Sequence, residues 1–313
     1  MKVLLLGGAG FIGSHLSDAL VTAGHEVTVL HQPRTSLENL SKVLKSIKLI
    51  EGDFCNSDLV SKAVHGMDII VHLIGPTLPR NSFINPTNDI KNNIFPSLSL
   101  FEFCARAVVK KIIFISSGGT IYGLPQHVPI NEDHPLNPIT PYGISKLTIE
   151  KYLGLYYHHY GLDYTVLRLA NPFGERQSPL GGQGVIAAWM RKVLQKEPIE
   201  IWGNGSTIRD YIYIQDVVKA IELSMFTQTD IKIFNVGSGI GTSLLKLHQF
   251  LEVQVGRTIP IDFKNSASAD VPINFLDYSL IKHVLGWSPQ VLIEEGIKRT
   301  WNSIALPRHD SLM

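Results

Sequence analysis

The chain has 313 residues, 44% of them hydrophobic, and a formal net charge of +1. That length supports one large domain with its own core and a smaller lobe beside it. Basic and acidic residues are evenly mixed with no Lys/Arg block, so composition gives no case for nucleic acid or an anionic membrane as partner.

The first apolar run, Val3-Leu4-Leu5-Leu6 after Lys2, stops at Gly7. It is too short for the core of a secretion signal. No run elsewhere approaches the ~18 apolar residues of a membrane span. The two cysteines, Cys55 and Cys104, read as free, mostly buried thiols in a reducing compartment. A cytoplasmic protein without a membrane segment is expected.

Taken in order, the first 170 residues alternate β-rich runs with helical stretches. The strands are expected at Lys2–Leu6, Glu26–Leu30, Lys48–Glu51, Ile69–Leu73, Ile112–Ser116 and Tyr164–Leu169. Most are continuous apolar runs bounded by Gly, Asp or Ser, as parallel strands buried on both faces require. Helices are expected between them at Ile12–Ala23, Ser57–Val64, Ile90–Val109 and Pro141–Tyr160. This βα repetition predicts an α/β fold of Rossmann type, with a doubly wound parallel sheet.

Beyond Asn171 the pattern loosens. Pro172, Gly174, Pro179, Gly181, Gly182 and Gly184 mark a loop. Helices are expected at Val185–Lys196, Gln215–Phe226, Ser243–Val255, Ser279–Leu285 and Ile293–Ser303, and strands at Ile199–Trp202 and Ile233–Val236. The expected division is a dinucleotide-binding domain over 1–171 and a smaller α/β substrate lobe over 172–306. Some segments of the lobe return to the main sheet, and 307–313 form a frayed tail.

Gly7-Gly8-Ala9-Gly10-Phe11-Ile12-Gly13 follows the first strand directly. Glycines 7, 10 and 13 suit a tight turn, a close backbone approach and close helix packing. The amides at the start of the next helix then face a pyrophosphate. A glycine loop alone is a weak signal, but its place between a strand and an amphipathic helix makes it a dinucleotide site.

About 20 residues on, where an acidic residue usually holds the adenosine ribose, the second strand runs into His31, and Arg34 follows. The repulsion that excludes a 2′-phosphate is missing and Arg34 could attract one, while His31 could instead bond the ribose hydroxyls of NAD, so these residues leave NAD and NADP both open. Asp53, at the end of the third strand, is either an adenine contact or a helix N-cap. Phe54 and Leu73 are further cofactor-side candidates.

Tyr142 and Lys146, in Pro141-Tyr142-Gly143-Ile144-Ser145-Lys146, stand four apart and share a helix face. A phenol has a reference pKa of about 10. A neighbouring ammonium and an oxidised nicotinamide are expected to lower it, so that Tyr142 exchanges protons with a hydroxyl near neutral pH. His158 and His159 are adjacent rather than four apart and lack a ligand set, so no metal site is expected.

With these residues the sequence resembles the extended short-chain dehydrogenase/reductase superfamily, in particular its UDP-glucose 4-epimerase-like branch of sugar-nucleotide enzymes. The resemblance spans nearly the whole chain. It rests on Gly7–Gly13, Ser116-Ser117-Gly118-Gly119-Thr120-Ile121-Tyr122-Gly123, Tyr142–Lys146, Arg168-Leu169-Ala170-Asn171-Pro172-Phe173-Gly174 and Arg209-Asp210-Tyr211-Ile212-Tyr213.

The resemblance implies Tyr142 as catalytic base and acid, Lys146 also on the nicotinamide ribose, and Asn93 as a residue that helps hold that pair. It implies Asn171, Arg209 and Asp270 as contacts to the sugar nucleotide. Arginine suits that role because its planar fork pairs with phosphate oxygens. The competing reading of Arg209 is a local pair with Asp210.

The family's active-site Ser/Thr falls on Gly118. Thr120 lies on the same face if the strand continues, and it or Ser117 supplies the hydroxyl, unless both are structural. The arginine usual three residues before Asp270 is Ala267 here. The dehydratases' Asp-Glu pair is Gly119-Thr120, and the decarboxylases' glutamate is Thr120. What remains is 4-epimerisation of a sugar nucleotide, UDP-linked, with NAD. The alternatives are an NAD(P)-dependent sugar-nucleotide reductase or dehydratase, or a dinucleotide sensor without turnover. The resemblance also implies a homodimer paired through Ile90–Val109 and Pro141–Tyr160, where Leu153, Tyr156 and Tyr157 are either dimer contacts or core.

Overall fold

The computed structural model describes residues 1–75, 79–179, 184–265 and 271–305. In chain order the elements are β1 Lys2–Leu6, α1 Phe11–Thr22, β2 Glu26–His31, β3 Lys48–Glu51, α2 Ser57–Val64, β4 Ile69–His72, α3 Pro79–Ser82, α4 Pro86–Asp89, α5 Phe95–Arg106, β5 Lys111–Ser117, α6 Pro141–Tyr160 and β6 Tyr164–Leu169. They continue with β7 Asn171–Phe173, α7 Val185–Leu194, β8 Ile199–Trp202, β9 Ile208–Tyr213, α8 Ile214–Phe226, β10 Ile233–Val236, β11 Gly241–Ser243, α9 Leu244–Val255, β12 Ile261–Lys264, β13 Ile273–Asn274, α10 Ser279–Leu285 and α11 Ile293–Ala305.

Seven parallel strands form the main sheet in the order β10-β6-β5-β4-β1-β2-β3. The chain winds outward from β1 through β2 and β3, then crosses back to β4 on the other side. β1 and β4 therefore flank the point where the winding reverses, and a crevice opens there beyond the carboxyl ends of the strands.

The apolar runs explain this layering. Val3 and Leu5 of β1 enter one core with Leu16 and Leu20 of α1, while Leu4 and Leu6 enter a second with Leu100 and Phe101 of α5. A strand whose successive residues all need burial must have helices on both faces. α1 packs with α8 on one face, and α2, α5 and α6 pack together on the other.

The second half of the chain is not separate from this sheet. β10 pairs with β6, and α8 packs beneath it, as expected for segments that return to the main sheet. The remainder forms two small sheets beside the carboxyl edge. In one, β9 carries β11, β13 and β7; in the other, β12 pairs with β8.

Two expectations need correction, and the alternatives left for Leu153 and Tyr157 divide. Ile90–Val109 is not one helix: α4 leads into a π-turn over Ile90–Ile94 before α5 begins. Pro96 has no N–H to continue the ladder, so the helix re-phases where the proline enters. Cys55 is exposed and only Cys104 is buried. Leu153 belongs wholly to the core, whereas Tyr157 is 41% exposed. Among the described residues no helix is long and apolar enough to cross a membrane.

Candidate active site

The glycine loop closes the first βα turn. Gly7 has φ +86°, a left-handed conformation that favours glycine, and its amide donates to Leu30 O at 2.9 Å. The tightest position is Gly13, where a Cβ would stand 2.5 Å from Gly8 Cα and 2.6 Å from Gly7 O. No side chain caps α1, and its first turn has no acidic residue. Its leading amides are left for an anion, the geometry that phosphate binding needs. The loop and the helix start therefore fit a dinucleotide pyrophosphate, which Gly10, Phe11, Ile12 and Gly13 would hold.

Neighbouring strand ends complete the cofactor side. Ile74 packs against Gly7, and Leu73 donates its amide to Leu6 O at 3.1 Å, so the end of β4 lies beside the loop. His31 is the last residue of β2, one beyond the expected end, and is buried with Nδ1 3.1 Å from Gln32 O. Arg34 is exposed, with φ +65°.

Asp53 is not the cap of α2. That cap is Asn56, which accepts the Leu59 amide at 3.1 Å, while Asp53 accepts the Cys55 amide at 2.8 Å in its own turn. Phe54 is buried with its ring edge-on to His72, so its side chain belongs to the core.

Tyr142 and Lys146 sit on the first turns of α6. Thr140 caps this helix by accepting the Gly143 amide at 3.0 Å, and Pro141 presets its first turn. The Tyr142 amide donates to Ser82 Oγ of α3 at 3.2 Å. Lys146 is 5% exposed. Its Nζ donates to Ile115 O at 2.8 Å, and lies 4.7 Å from the Phe114 ring centroid and 5.8 Å from that of Tyr142. It also lies against Gly75, just beyond β4. α6 thus brings the pair to the carboxyl edge of the sheet, beside the glycine loop.

The electrostatics differ from expectation. Burial lowers the Lys146 ammonium to about 8, opposed by the carboxylates of Glu150 and Asp89. Burial also pushes the Tyr142 phenol up to about 12, and Asp89 adds to the rise. The protein's own groups hold the phenol protonated instead of lowering its pKa, because burial and the Asp89 carboxylate act in the same direction. His72, buried under Lys146, is depressed to about 3 by burial and by that ammonium, and is neutral.

Beneath the pair runs a polar network that the sequence analysis did not single out. Glu150, one turn past Lys146, pairs with Arg168 at 2.8 Å and accepts the Ser116 hydroxyl. Arg168 Nη1 donates to the Tyr122 hydroxyl at 3.0 Å, and that hydroxyl donates to Asn235 Oδ1 at 2.7 Å. The spacing Tyr142, Lys146, Glu150 along one helix face was a signal for the first of these.

At Gly118, a Cβ would stand 2.5 Å from Leu276 Cδ1, and the Gly118 carbonyl accepts Asn274 Nδ2 at 3.1 Å. A Ser or Thr side chain at 118 would need the space that Leu276 fills. β5 ends at Ser117, so the continued strand that favoured Thr120 does not exist; the chain turns instead. The turn nevertheless places the Thr120 carbonyl against Gly143, at the start of α6. Thr120 Oγ1 is buried with no hydrogen-bond partner among the described residues. Ser117 is half-buried.

On the far side of the crevice, Asn171 donates Nδ2 to Asp210 O at 2.9 Å, which ties β7 to β9. Arg209 lies on β9 and donates to Ile208 O at 2.8 Å. The Asp210 carboxylate is used elsewhere: it accepts the amides of Ser238, Gly239 and Leu276. The local Arg209–Asp210 reading therefore fails, since adjacent strand residues face opposite ways. Asp270, Ala267 and the loop at 181–183 lie outside the described residues.

A family model for the NAD-dependent epimerase/dehydratase family matches residues 3–237. The chain belongs to that family. This epimerase/dehydratase family member is 35% identical over 307 residues to a UDP-glucose 4-epimerase of Mycolicibacterium smegmatis, covering 96% of this chain and 97% of the relative. Its fold matches the crystal structure of a Thermotoga maritima UDP-glucose 4-epimerase with UDP-glucose. The TM-score is 0.93 at 38% identity, covering 97% of this chain and 99% of the other. It also matches a Thermus thermophilus UDP-glucose 4-epimerase in complex with NAD, with a TM-score of 0.89 at 32% identity, covering 97% and 98%. NAD is the cofactor of this family, and the uncapped, tightly packed glycine loop fits it.

Proposed function

We propose that this protein is a sugar-nucleotide 4-epimerase acting on UDP-linked hexoses. The observation that carries this reading is the placement of Tyr142 and Lys146 on α6, at the carboxyl edge of the sheet and beside the glycine loop. Gly119 and Thr120 carry no carboxyl group, so the neighbouring acid and base needed to eliminate water are missing. Relatives named for UDP-glucose, and the UDP-glucose bound in the Thermotoga structure, support the nucleotide and the hexose.

Bound NAD supplies a reversible hydride acceptor at sugar C4. Tyr142 takes the proton from the C4 hydroxyl, and the buried Lys146 charge holds the nicotinamide ribose and steadies the phenolate. Asn171 and Arg209 anchor the diphosphate, Arg209 through its planar fork. With that anchor fixed, the 4-keto sugar turns and presents its other face. Tyr142 then returns the proton to the C4 oxygen. The test is conversion of UDP-galactose labelled with deuterium at C4, without added nicotinamide. Retention of the label in UDP-glucose is expected. Consumption of external NADPH, or no turnover of any UDP-hexose, would sink the reading.

Thr120 is the hydroxyl we assign beside Tyr142, because its carbonyl lies against Gly143 at the start of α6 and its Oγ1 is buried without a partner among the described residues. An unmatched buried hydroxyl is a site for a ligand's polar atom. Thr120→Ala is expected to lower kcat by about 10²-fold, the scale of one lost donor to a developing oxyanion. Thr120→Ser is expected to stay close to the parent. If Ser117→Ala shows the larger loss under steady-state assay, Ser117 is the donor instead.

A further inference from the structure

We propose that Asp89 is a positioning residue for the Tyr142–Lys146 pair, a buried carboxylate that fastens the π-turn carrying Asn93 to the helix carrying both groups. The inference rests on the Tyr142–Lys146 reading and adds to it how Asn93 acts on that pair.

Asp89 is the last residue of α4 and has no solvent exposure. Its carboxylate receives bonds from two sides. Asn93 Nδ2, one turn on, donates to Asp89 Oδ1 at 3.1 Å and to Asp89 O at 3.0 Å. The Ser145 hydroxyl donates to Asp89 Oδ2. Ser145 is buried, and immediately precedes Lys146 on α6. One carboxylate therefore connects the re-phased helix segment to the turn of α6 that sets the directions of Tyr142 and Lys146.

The rest of the connection is fixed by proton count. Ser97 Oγ donates its only proton to Asn93 O at 2.6 Å. His72 Nε2, 3.0 Å from that Oγ, must then be the donor. The run His72, Ser97, Asn93, Asp89 thus has one direction, and Asp89 is its terminal acceptor. Asn93 Nδ2 and the Ser145 hydroxyl are both donors to the Asp89 carboxylate.

A fully buried carboxylate is costly unless a cation offsets it. The cation here is Lys146, whose charged form Asp89 favours, while the same field disfavours the Tyr142 phenolate. The other titratable groups at the pair, among the described residues, are Glu150, itself held by Arg168, and His72, which is neutral. Lys91, on the π-turn, is exposed. Asp89 therefore does two things that a packing residue does not. It keeps a proton on Tyr142 until the cofactor's positive charge opposes it, and it keeps Lys146 an ammonium.

The experiment is the pH profile of kcat/KM for the NAD-loaded enzyme and its Asp89→Asn and Asp89→Glu variants. Asn keeps the shape and loses the charge, so the acid limb is expected to move about 1 pH unit lower, with the plateau reduced roughly tenfold. Glu keeps the charge, and its limb is expected to remain at the parent pH. An unmoved limb in a folded Asp89→Asn enzyme overturns the proposal, whatever happens to kcat.

If that variant does not fold, Ser145→Ala decides by removing the fastening while leaving the charge. A lower kcat with unchanged KM and NAD content supports the proposal, and a parental kcat overturns it. An active Tyr142→Phe enzyme would instead reject the underlying base assignment, a result distinct from either.

Discussion

Replacing Tyr142 by Phe is expected to lower kcat by about 10³-fold, within the range for loss of a positioned acid–base group, with little change in KM or NAD content. Phe preserves the shape of the ring at the start of α6, so the loss falls on proton transfer alone. Steady-state kinetics with UDP-galactose and spectrophotometric NAD content measure both halves. An activity within tenfold of the parent would mean that another group moves the C4 proton.

The second large effect falls on stability. Glu150 and Arg168 are 1% and 3% exposed and are joined at 2.8 Å. Replacing Arg168 by Met leaves Glu150 a buried charge supported by the Ser116 hydroxyl, and also removes a donor from Tyr122. Breaking one side of such a pair costs about 3–5 kcal/mol. The double replacement Glu150→Leu/Arg168→Met is expected to regain most of that loss, because no charge is then stranded.

Urea unfolding followed by circular dichroism gives both values. A single variant within 1 kcal/mol of the parent, roughly the net worth of an exposed pair, would show that the charge finds another partner. Activity need not recover in the double variant, since Glu150 also supports the charge of Lys146.

How much of this was legible in the sequence depended on what holds each segment. β1, β3, β6, β8 and β10, and helices α2, α6 and α10, run between the residues expected for them. Buried parallel strands write themselves as apolar runs, and the proline-led helix α6 announces its own start.

The small strands β7, β9, β11 and β13 did not show. They contain Asn171, Arg209, Asp210, Thr242 and Asn274, and they pair because tertiary contacts place them, not because of any alternation. The site divided in the same way. The glycine loop and the Tyr142–Lys146 pair are local patterns and could be read directly.

Asp89 and His72 become part of the site only when α4 and β4 are brought to α6, so no spacing reveals them. The role of Leu276 at Gly118 links residues far apart in the chain. The rise at Tyr142 likewise needed the burial around it, which sequence alone does not weigh.

The seating of β10 beside β6 bears on how this chain can be cut. A fragment ending near Asn171 would lose the strand whose residues Ile233–Val236 pair with Val166–Leu169. β6 would then be an outer strand, six residues long and buried throughout in the intact protein. Its hydrogen-bonding groups would be open to any neighbouring chain, and a flat apolar border of that kind invites self-association. The second lobe cannot be exchanged by a single cut after β6, because the polypeptide leaves the main sheet and then comes back to finish it. Any hybrid between relatives would have to carry β10 and α8 along with the half they complete.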